Sequence, residues 1–357
     1  TDLHQEVIDA CPHNPQLIYL GDIQQLPPVF GPAILGFKLL ELPVVELTEV
    51  YRQALESPII SLAHRCLSGR GIPAQEFPEW NRDGLTIRPF KKRVEPEMAT
   101  VGIGNLLCQM YDQDLYKPSS DMILIPFNKT FGSDELNKII ANHIARKSGA
   151  MTYQIVAGFQ KVHLSIGDKI LVDKEDATIT KIETNPAYSG AFFAPASTTL
   201  DYWGYDPEAE KKRSISDDDM DFMLSQVAKQ GNQSEERVNQ ASHIITFKKT
   251  GAEFEEKLQS AGDINAILLG YVLTVHKAQG SEWEKVIFIM HASHATMNSR
   301  ELLYTAITRA KKELLILCEP DTLVKGIENP RIKGNTLAEK AEYFKGKQER
   351  MNAERLS

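Results

Sequence analysis

The sequence predicts an α/β protein in which a parallel sheet is interrupted by a small all-β insertion. Short, wholly apolar runs such as Asp121-Met-Ile-Leu-Ile-Pro-Phe127 and residues 285–290 are each followed by a helical pattern, as expected of strands buried on both faces by helices. From about Gln160 to Thr250 the pattern changes to short alternating runs, Lys169-Ile-Leu-Val172, Ala177-Thr-Ile-Thr-Lys-Ile182 and Ser242-His-Ile-Ile-Thr-Phe247, which read as strands of a small barrel.

The elements follow in order. Residues 1–50 hold two strand candidates, Leu17-Ile-Tyr-Leu20 and Pro43-Val-Val-Glu-Leu47, the first ending at Gly21-Asp22, a junction where open α/β sheets place ligands. Two strands do not make a stable domain by themselves, so this stretch reads as the C-terminal remnant of a first α/β domain. Residues 51–160 begin a second one. After strand 121–127, Ser133 suits a helix cap, Asp134 and Glu135 suit the first turn, and Leu136, Ile139, Ile140 and Ile144 form a stripe stopped by Gly149. Residues 161–265 form the barrel, with a polar excursion over 201–240 that carries Lys211-Lys-Arg213 and Asp217-Asp-Asp219. A calcium loop would need a glycine at its sixth position and a closing glutamate. Neither is in register, so a solvated, partly helical insertion is expected, with Tyr202, Trp203 and Tyr205 packing locally rather than stacking on bases. The α/β pattern resumes over 266–320 with strand 269–275, strand 285–290, helix 299–310 and strand 313–318. Asn298 and Glu301 stand at capping-box spacing before that helix, and Thr336 and Glu339 do so before a charged C-terminal helix within 321–357, whose expected role is packing.

Composition narrows the function. Hydrophobic content of 42% and charged content of 25% are those of ordinary globular proteins. No run of 18 apolar residues is present to span a bilayer, and the first residues lack the pattern of a secretory signal. Cys11, Cys66, Cys108 and Cys318 are scattered without metal spacing, which reads as free thiols in a reducing cytoplasm. A net charge of −8 speaks against gripping duplex DNA by phosphate neutralisation. It leaves room for a narrow groove that holds a single strand.

Three blocks carry the chemistry: Gly21-Asp-Ile-Gln-Gln-Leu-Pro-Pro-Val29, Thr274-Val-His-Lys-Ala-Gln-Gly-Ser-Glu-Trp283 and Tyr304-Thr-Ala-Ile-Thr-Arg-Ala310. Each joins an apolar strand or helix to a polar loop. In this order they resemble motifs III, V and VI of superfamily-1 helicases, and Leu47-Thr-Glu-Val-Tyr-Arg-Gln53 resembles motif IV. The resemblance implies RecA-like motor domains, the first partial and the second complete, with the barrel inserted in the second. It implies that Gln25 senses the γ-phosphate of ATP, that Arg52 and Arg309 reach the phosphates, and that Gly21, Asp22, Gly280 and Glu282 contribute to nucleotide binding. A neutral amide can orient water, and a guanidinium fork stays charged and binds phosphate bidentately. Asn128, Thr274, His276 and Lys277 are the implied contacts to nucleic acid, and no resident metal site is expected within the chain.

The motif V ending, His276-Lys-Ala-Gln-Gly-Ser-Glu282, resembles the RecD and Dda type rather than the Lys-Gly-Leu-Glu of 3′→5′ enzymes. It implies a 5′→3′ DNA helicase acting on single-stranded DNA and ss/ds DNA junctions, with a replication or recombination protein as a candidate partner. No Gly-x-x-x-x-Gly-Lys-Ser/Thr phosphate loop occurs, and Thr1-Asp2 resembles the residues that follow motif II. ATP and Mg2+ are therefore expected to be held largely by residues upstream, and the chain alone is expected to hydrolyse little ATP. The competing expectation is an ATPase-deficient, helicase-like module that binds DNA or a replication or recombination partner.

Overall fold

The computed structural model describes residues 2–11, 16–27, 34–38, 41–46, 56–91, 94–173, 175–188, 240–334 and 336–356. Arg52, Tyr202, Trp203, Tyr205 and nearly all of the polar excursion lie outside them. The chain divides into two compact units, one of residues 1–139 and 271–357 and one of residues 140–270.

The larger unit begins with helices α1 (Asp2–Ala10) and α2 (Ile34–Lys38). Neither strand expected in this region forms. Residues 16–22 and 43–46 are irregular, and Leu20 and Val45 are each 87% exposed. A strand is stabilised by its neighbour's ladder, and among the described residues no strand pairs with either segment.

Helices α3 (Pro58–Leu67), α4 (Phe77–Trp80) and α5 (Pro96–Asp112) surround a parallel sheet that starts with β1 (Leu85–Pro89) and β2 (Asp121–Ile125). After α6 (Ser133–Ser148), the chain enters the smaller unit. There β3 (Thr152–Ala157) and β4 (Gln160–Ser165) form an antiparallel hairpin. Strands β5 (Lys169–Val172), β6 (Glu175–Thr184), β7 (Gln240–Lys249), β8 (Glu256–Ser260) and, after helix α7 (Ala261–Ala266), β9 (Leu268–Leu269) form an antiparallel sheet in the order β8-β7-β6-β5-β9. All three alternating runs noted in the sequence are strands. Ile155, Leu164, Ile170, Ile179, Ile245 and Phe247 of hairpin and sheet share one core. Between the two sheets, the Ser242 hydroxyl accepts from Val156 N at 2.8 Å.

Back in the larger unit, β10 (Val272–Thr274), β11 (Trp283–Met290), α8 (Arg300–Ile307), β12 (Ala310–Cys318), α9 (Pro320–Glu328) and α10 (Leu337–Leu356) complete the fold. The sheet order is β1-β12-β11-β2-β10, and every pairing is parallel. Burial of both faces explains the unbroken apolar runs: all of Met122 to Ile125 and Val286 to Ile289 are fully buried.

The helix-end signals hold in part. Gly149 ends α6 at φ 70°, the left-handed geometry of a helix stop. Thr336 and Glu339 form their reciprocal cap at 3.2 and 3.4 Å. The cap of α8, however, is Ser299, whose hydroxyl accepts from Leu302 N, while Asn298 donates to Thr322 O and Glu301 accepts from Arg331 N and Ile332 N. Ser133 directs its hydroxyl to Asn128 Oδ1 at 3.2 Å.

The edge strand β10 is tied to α6 by Asn137, which accepts from Tyr271 N (3.1 Å) and Val272 N (2.9 Å) and donates to Val272 O (2.8 Å). Asn137→Ala strands these buried groups and is expected to lower stability by about 2–4 kcal/mol, measured by urea unfolding of the chain.

Candidate nucleotide cleft and strand-binding edge

Two clusters of polar groups lie at opposite edges of the parallel sheet. The first is built on residues 22–26. Asp22 Oδ1 accepts from Gln24 N at 2.8 Å and Oδ2 from the Gln25 side chain at 3.2 Å, an Asx-type turn. Leu26, buried, is clamped from two sides: its N–H donates to Thr305 Oγ1 (2.9 Å) and its carbonyl accepts from Gln279 Nε2 (2.8 Å). Asp22 also pairs with the Tyr304 hydroxyl, and burial together with that carboxylate pushes the phenol up to about 12. The three sequence blocks therefore meet in space.

Arg309 lies at the same end, immediately before β12. Its Nε donates to Thr305 O (3.0 Å), Nη1 to Ser281 O (3.0 Å) and Nη2 to Thr308 Oγ1 (3.1 Å). Burial opposes its charge, while Glu282, Tyr304 and Asp22 favour it. These bonds use three of the five guanidinium N–H groups. Glu282 is half-exposed and stands 3.9 Å from Lys311. Gly280 adopts φ 87°, a conformation that favours glycine at this turn. Gly21 and Asp22 are exposed. Among the described residues no three His, Cys, Asp or Glu side chains cluster to hold a metal.

The second cluster lies at the C-terminal ends of β2, β10 and β11, the edge where parallel sheets bind ligands. Asn128, Lys129 and Thr130 are exposed and, with Phe127 and Ser293, line an open depression of ≈ 380 Å³. Lys277 Nζ donates to Asn128 Oδ1 at 3.4 Å, joining the two loops. His276 Nε2 is buried without a hydrogen-bond partner, and burial with the nearby Arg331 charge lowers its pKa. It therefore offers a neutral imidazole. Thr274, expected to face a bound strand, is buried, and its hydroxyl accepts from Lys277 N at 3.4 Å.

The loop after β2 holds its shape against strain. Thr130 and Phe131 adopt φ 55° and 58°, at about 1–2 kcal/mol each for residues with a side chain. A Cβ on Gly132 would stand 2.2 Å from the Asn128 carbonyl. Two histidines that the sequence did not single out oppose this strain. His294 stacks on Phe131, donates Nε2–H to Phe131 O (2.8 Å) and accepts on Nδ1 from His291 N (3.2 Å). Both nitrogens are used in the neutral ring, and burial depresses the pKa to about 4. Thr305, Gln279 and Lys340 were also missed; only packing shows what they hold.

The three sequence blocks thus lie at the two ends of one parallel α/β sheet. Residues 269–317 match the UvrD-like helicase C-terminal domain. The chain is 29% identical over 310 residues to the ATP-dependent RecD2 DNA helicase of Deinococcus radiodurans, covering 85% of this chain and 33% of that protein. RecBCD enzyme subunit RecD of Haemophilus influenzae is 39% identical over 49 residues, covering 14% of this chain and 8% of the relative. The crystal structure of the Pif1 helicase from Candida albicans aligns at a TM-score of 0.43 and 13% identity, covering 91% of this chain and 67% of that one. The chain is similar to RecD2 over most of its own length and spans about a third of the length of that helicase.

The strained loop makes itself felt in stability. His294 binds a proton less readily in the fold than in the unfolded chain, so its contribution to stability is complete above about pH 6.5. It is lost as pH falls from there toward about 4. Urea unfolding across this window is expected to show a decline of up to about 3 kcal/mol, diminished in His294→Gln. Gly132→Ala forces its Cβ against the Asn128 carbonyl and is expected to lower stability by about 1–3 kcal/mol, read by the same unfolding measurement.

Proposed function

We propose that this chain is the latter portion of an ATP-dependent DNA helicase that moves 5′→3′ on single-stranded DNA and unwinds duplex at ss/ds DNA junctions. The observation that carries this reading is the clamp on Leu26. A carbonyl and an N–H of the loop bearing Gln25 are held by Gln279 and Thr305, within reach of the Arg309 charge.

In this reading Gln25 orients the attacking water and reports the γ-phosphate, and Arg309 offers its two remaining N–H groups to the charge that develops in phosphoryl transfer. Arg52 is the second phosphate arginine; Gly21, Asp22, Gly280 and Glu282 shape the nucleotide pocket. The strand runs along the opposite edge, where Asn128, Lys129 and Lys277 meet phosphates and neutral His276 donates or accepts without holding the strand by charge. Residues 275–282 join the two edges directly, so a change at the nucleotide end moves the strand contacts. The hairpin and antiparallel sheet of the smaller unit serve as the small barrel inserted in the second motor domain. The direction of travel rests on the resemblance of the motif V ending. ATP binding is completed by a phosphate loop from outside these residues, and a replication or recombination protein is the partner class that fits.

The enclosure of Arg309, 6% exposed, favours one alternative: a module that binds DNA without hydrolysing ATP. Arg309→Ala in the protein as its gene encodes it separates the two. The motor reading expects DNA-stimulated ATP hydrolysis to fall by about a hundredfold or more with DNA affinity retained; unchanged hydrolysis and unwinding sink it. For the strand edge, Lys277→Ala is expected to weaken binding of an oligonucleotide to the chain and to lower the salt slope by about 0.7, one phosphate contact on a single strand.

A further inference from the structure

The C-terminal helix α10 was expected only to pack. One part of it does: the Phe344 ring lies against Gly36, where a Cβ would overlap it, and meets Phe37 edge-on. One turn earlier, Lys340 does something different. It is 3% exposed, and its ammonium donates to Gln24 Oε1. Burial and Arg300 oppose its charge, while the carboxylates of Glu301, Asp22 and Glu46 favour it. A lysine removed from water in this way is stabilised only by such partners.

Gln24 stands next to Gln25 inside the turn organised by Asp22. Besides the Tyr304 hydroxyl on Asp22, residues 22–26 are gripped at three further points: by Thr305 of α8, by Gln279 after β10 and by Lys340 of α10. The first two hold Leu26, at one end of the turn. Lys340 alone of the three holds its middle. The segment that carries Lys340 is itself anchored to α8, because Glu301 accepts from Arg331 N and Ile332 N.

We propose that Lys340 is a positioning residue for nucleotide sensing: by holding Gln24 it fixes the turn that presents Gln25, and so makes α10 part of the hydrolysis machinery. The functional half of this statement rests on Gln25 being the γ-phosphate sensor. Lys340 is enclosed, so it acts through Gln24 and does not touch the nucleotide.

Lys340→Met keeps the length of the side chain and removes its donor; Gln24→Ala removes the acceptor at a half-exposed position where misfolding is not a concern. In the protein as its gene encodes it, each is expected to lower kcat of DNA-stimulated hydrolysis about tenfold, with KM for ATP and DNA affinity within about twofold. The double variant is expected to lose no more than either single one, as for two halves of one contact. In the 357-residue chain, amide exchange at Gln24 and Gln25 is expected to quicken by about tenfold in Lys340→Met while that of residues 122–125 stays the same. Unchanged exchange at the turn, losses that multiply in the double variant, or DNA affinity falling together with kcat would each overturn the proposal. Gln25→Ala keeps the two readings apart. If it leaves hydrolysis intact, the sensor reading and the functional half of the proposal fail, and the exchange result alone decides the tether. If Gln25→Ala abolishes hydrolysis but Lys340→Met preserves kcat, the positioning role fails while the sensor reading stands.

Discussion

The polarity of the parallel sheet is the constraint on which the larger unit depends. Strands β10 and β11 point the same way, so residues 275–282 must return from the C-terminal edge of one to the N-terminal edge of the other. The return starts beside Asn128 and ends beside Arg309. A hairpin would have left both ends of this stretch at one edge. Parallel pairing instead makes one short connection touch both clusters, with Gly280 permitting the left-handed turn along the way.

The loop after β2 is a case of local strain offset by burial. Two consecutive left-handed residues and a glycine without room for a Cβ would not persist in an isolated peptide. They persist because Ser133 N and Asp134 N at the start of α6 bond to Phe127 O and Asn128 O, each at 2.9 Å, and because His294 fills the space against Phe131. The loop can therefore leave Asn128, Lys129 and Thr130 exposed. A neutral His294 fits this position, because a protonated ring would place a second donor against the His291 N–H, inside a site where charge is poorly solvated.

The N-terminal segment is held differently. It has no strands among the described residues, and side chains from distant parts of the chain do what a ladder would do elsewhere. Gln279, Thr305 and Lys340 each make one bond to residues 24–26, across separations of 253 to 316 positions. Each such bond is worth only about a kilocalorie per mole, and their value lies in agreeing on one position for the turn.

Much was legible in the sequence because it depends on local pattern. Apolar runs marked β2, β11 and β12, alternation marked β5 to β7, and Gly149, Thr336 and Glu339 marked helix ends, since periodicity and caps act within a few residues. Motif spacing likewise singled out the loops that converge here. Where local pattern misled, distant packing decided: Leu17–Leu20 has the composition of a strand but no strand beside it among the described residues, and Ser299 caps α8 while Asn298 turns its amide N–H to Thr322 O. Whether a polar group faces a ligand, another side chain or a backbone carbonyl is decided by neighbours hundreds of positions away. Residue order was enough to mark the strands of the parallel sheet, their buried character and the polar loops that follow them. Which of their side chains meet emerged only in the packed fold, because long-range contacts, not local preference, set the direction of each one.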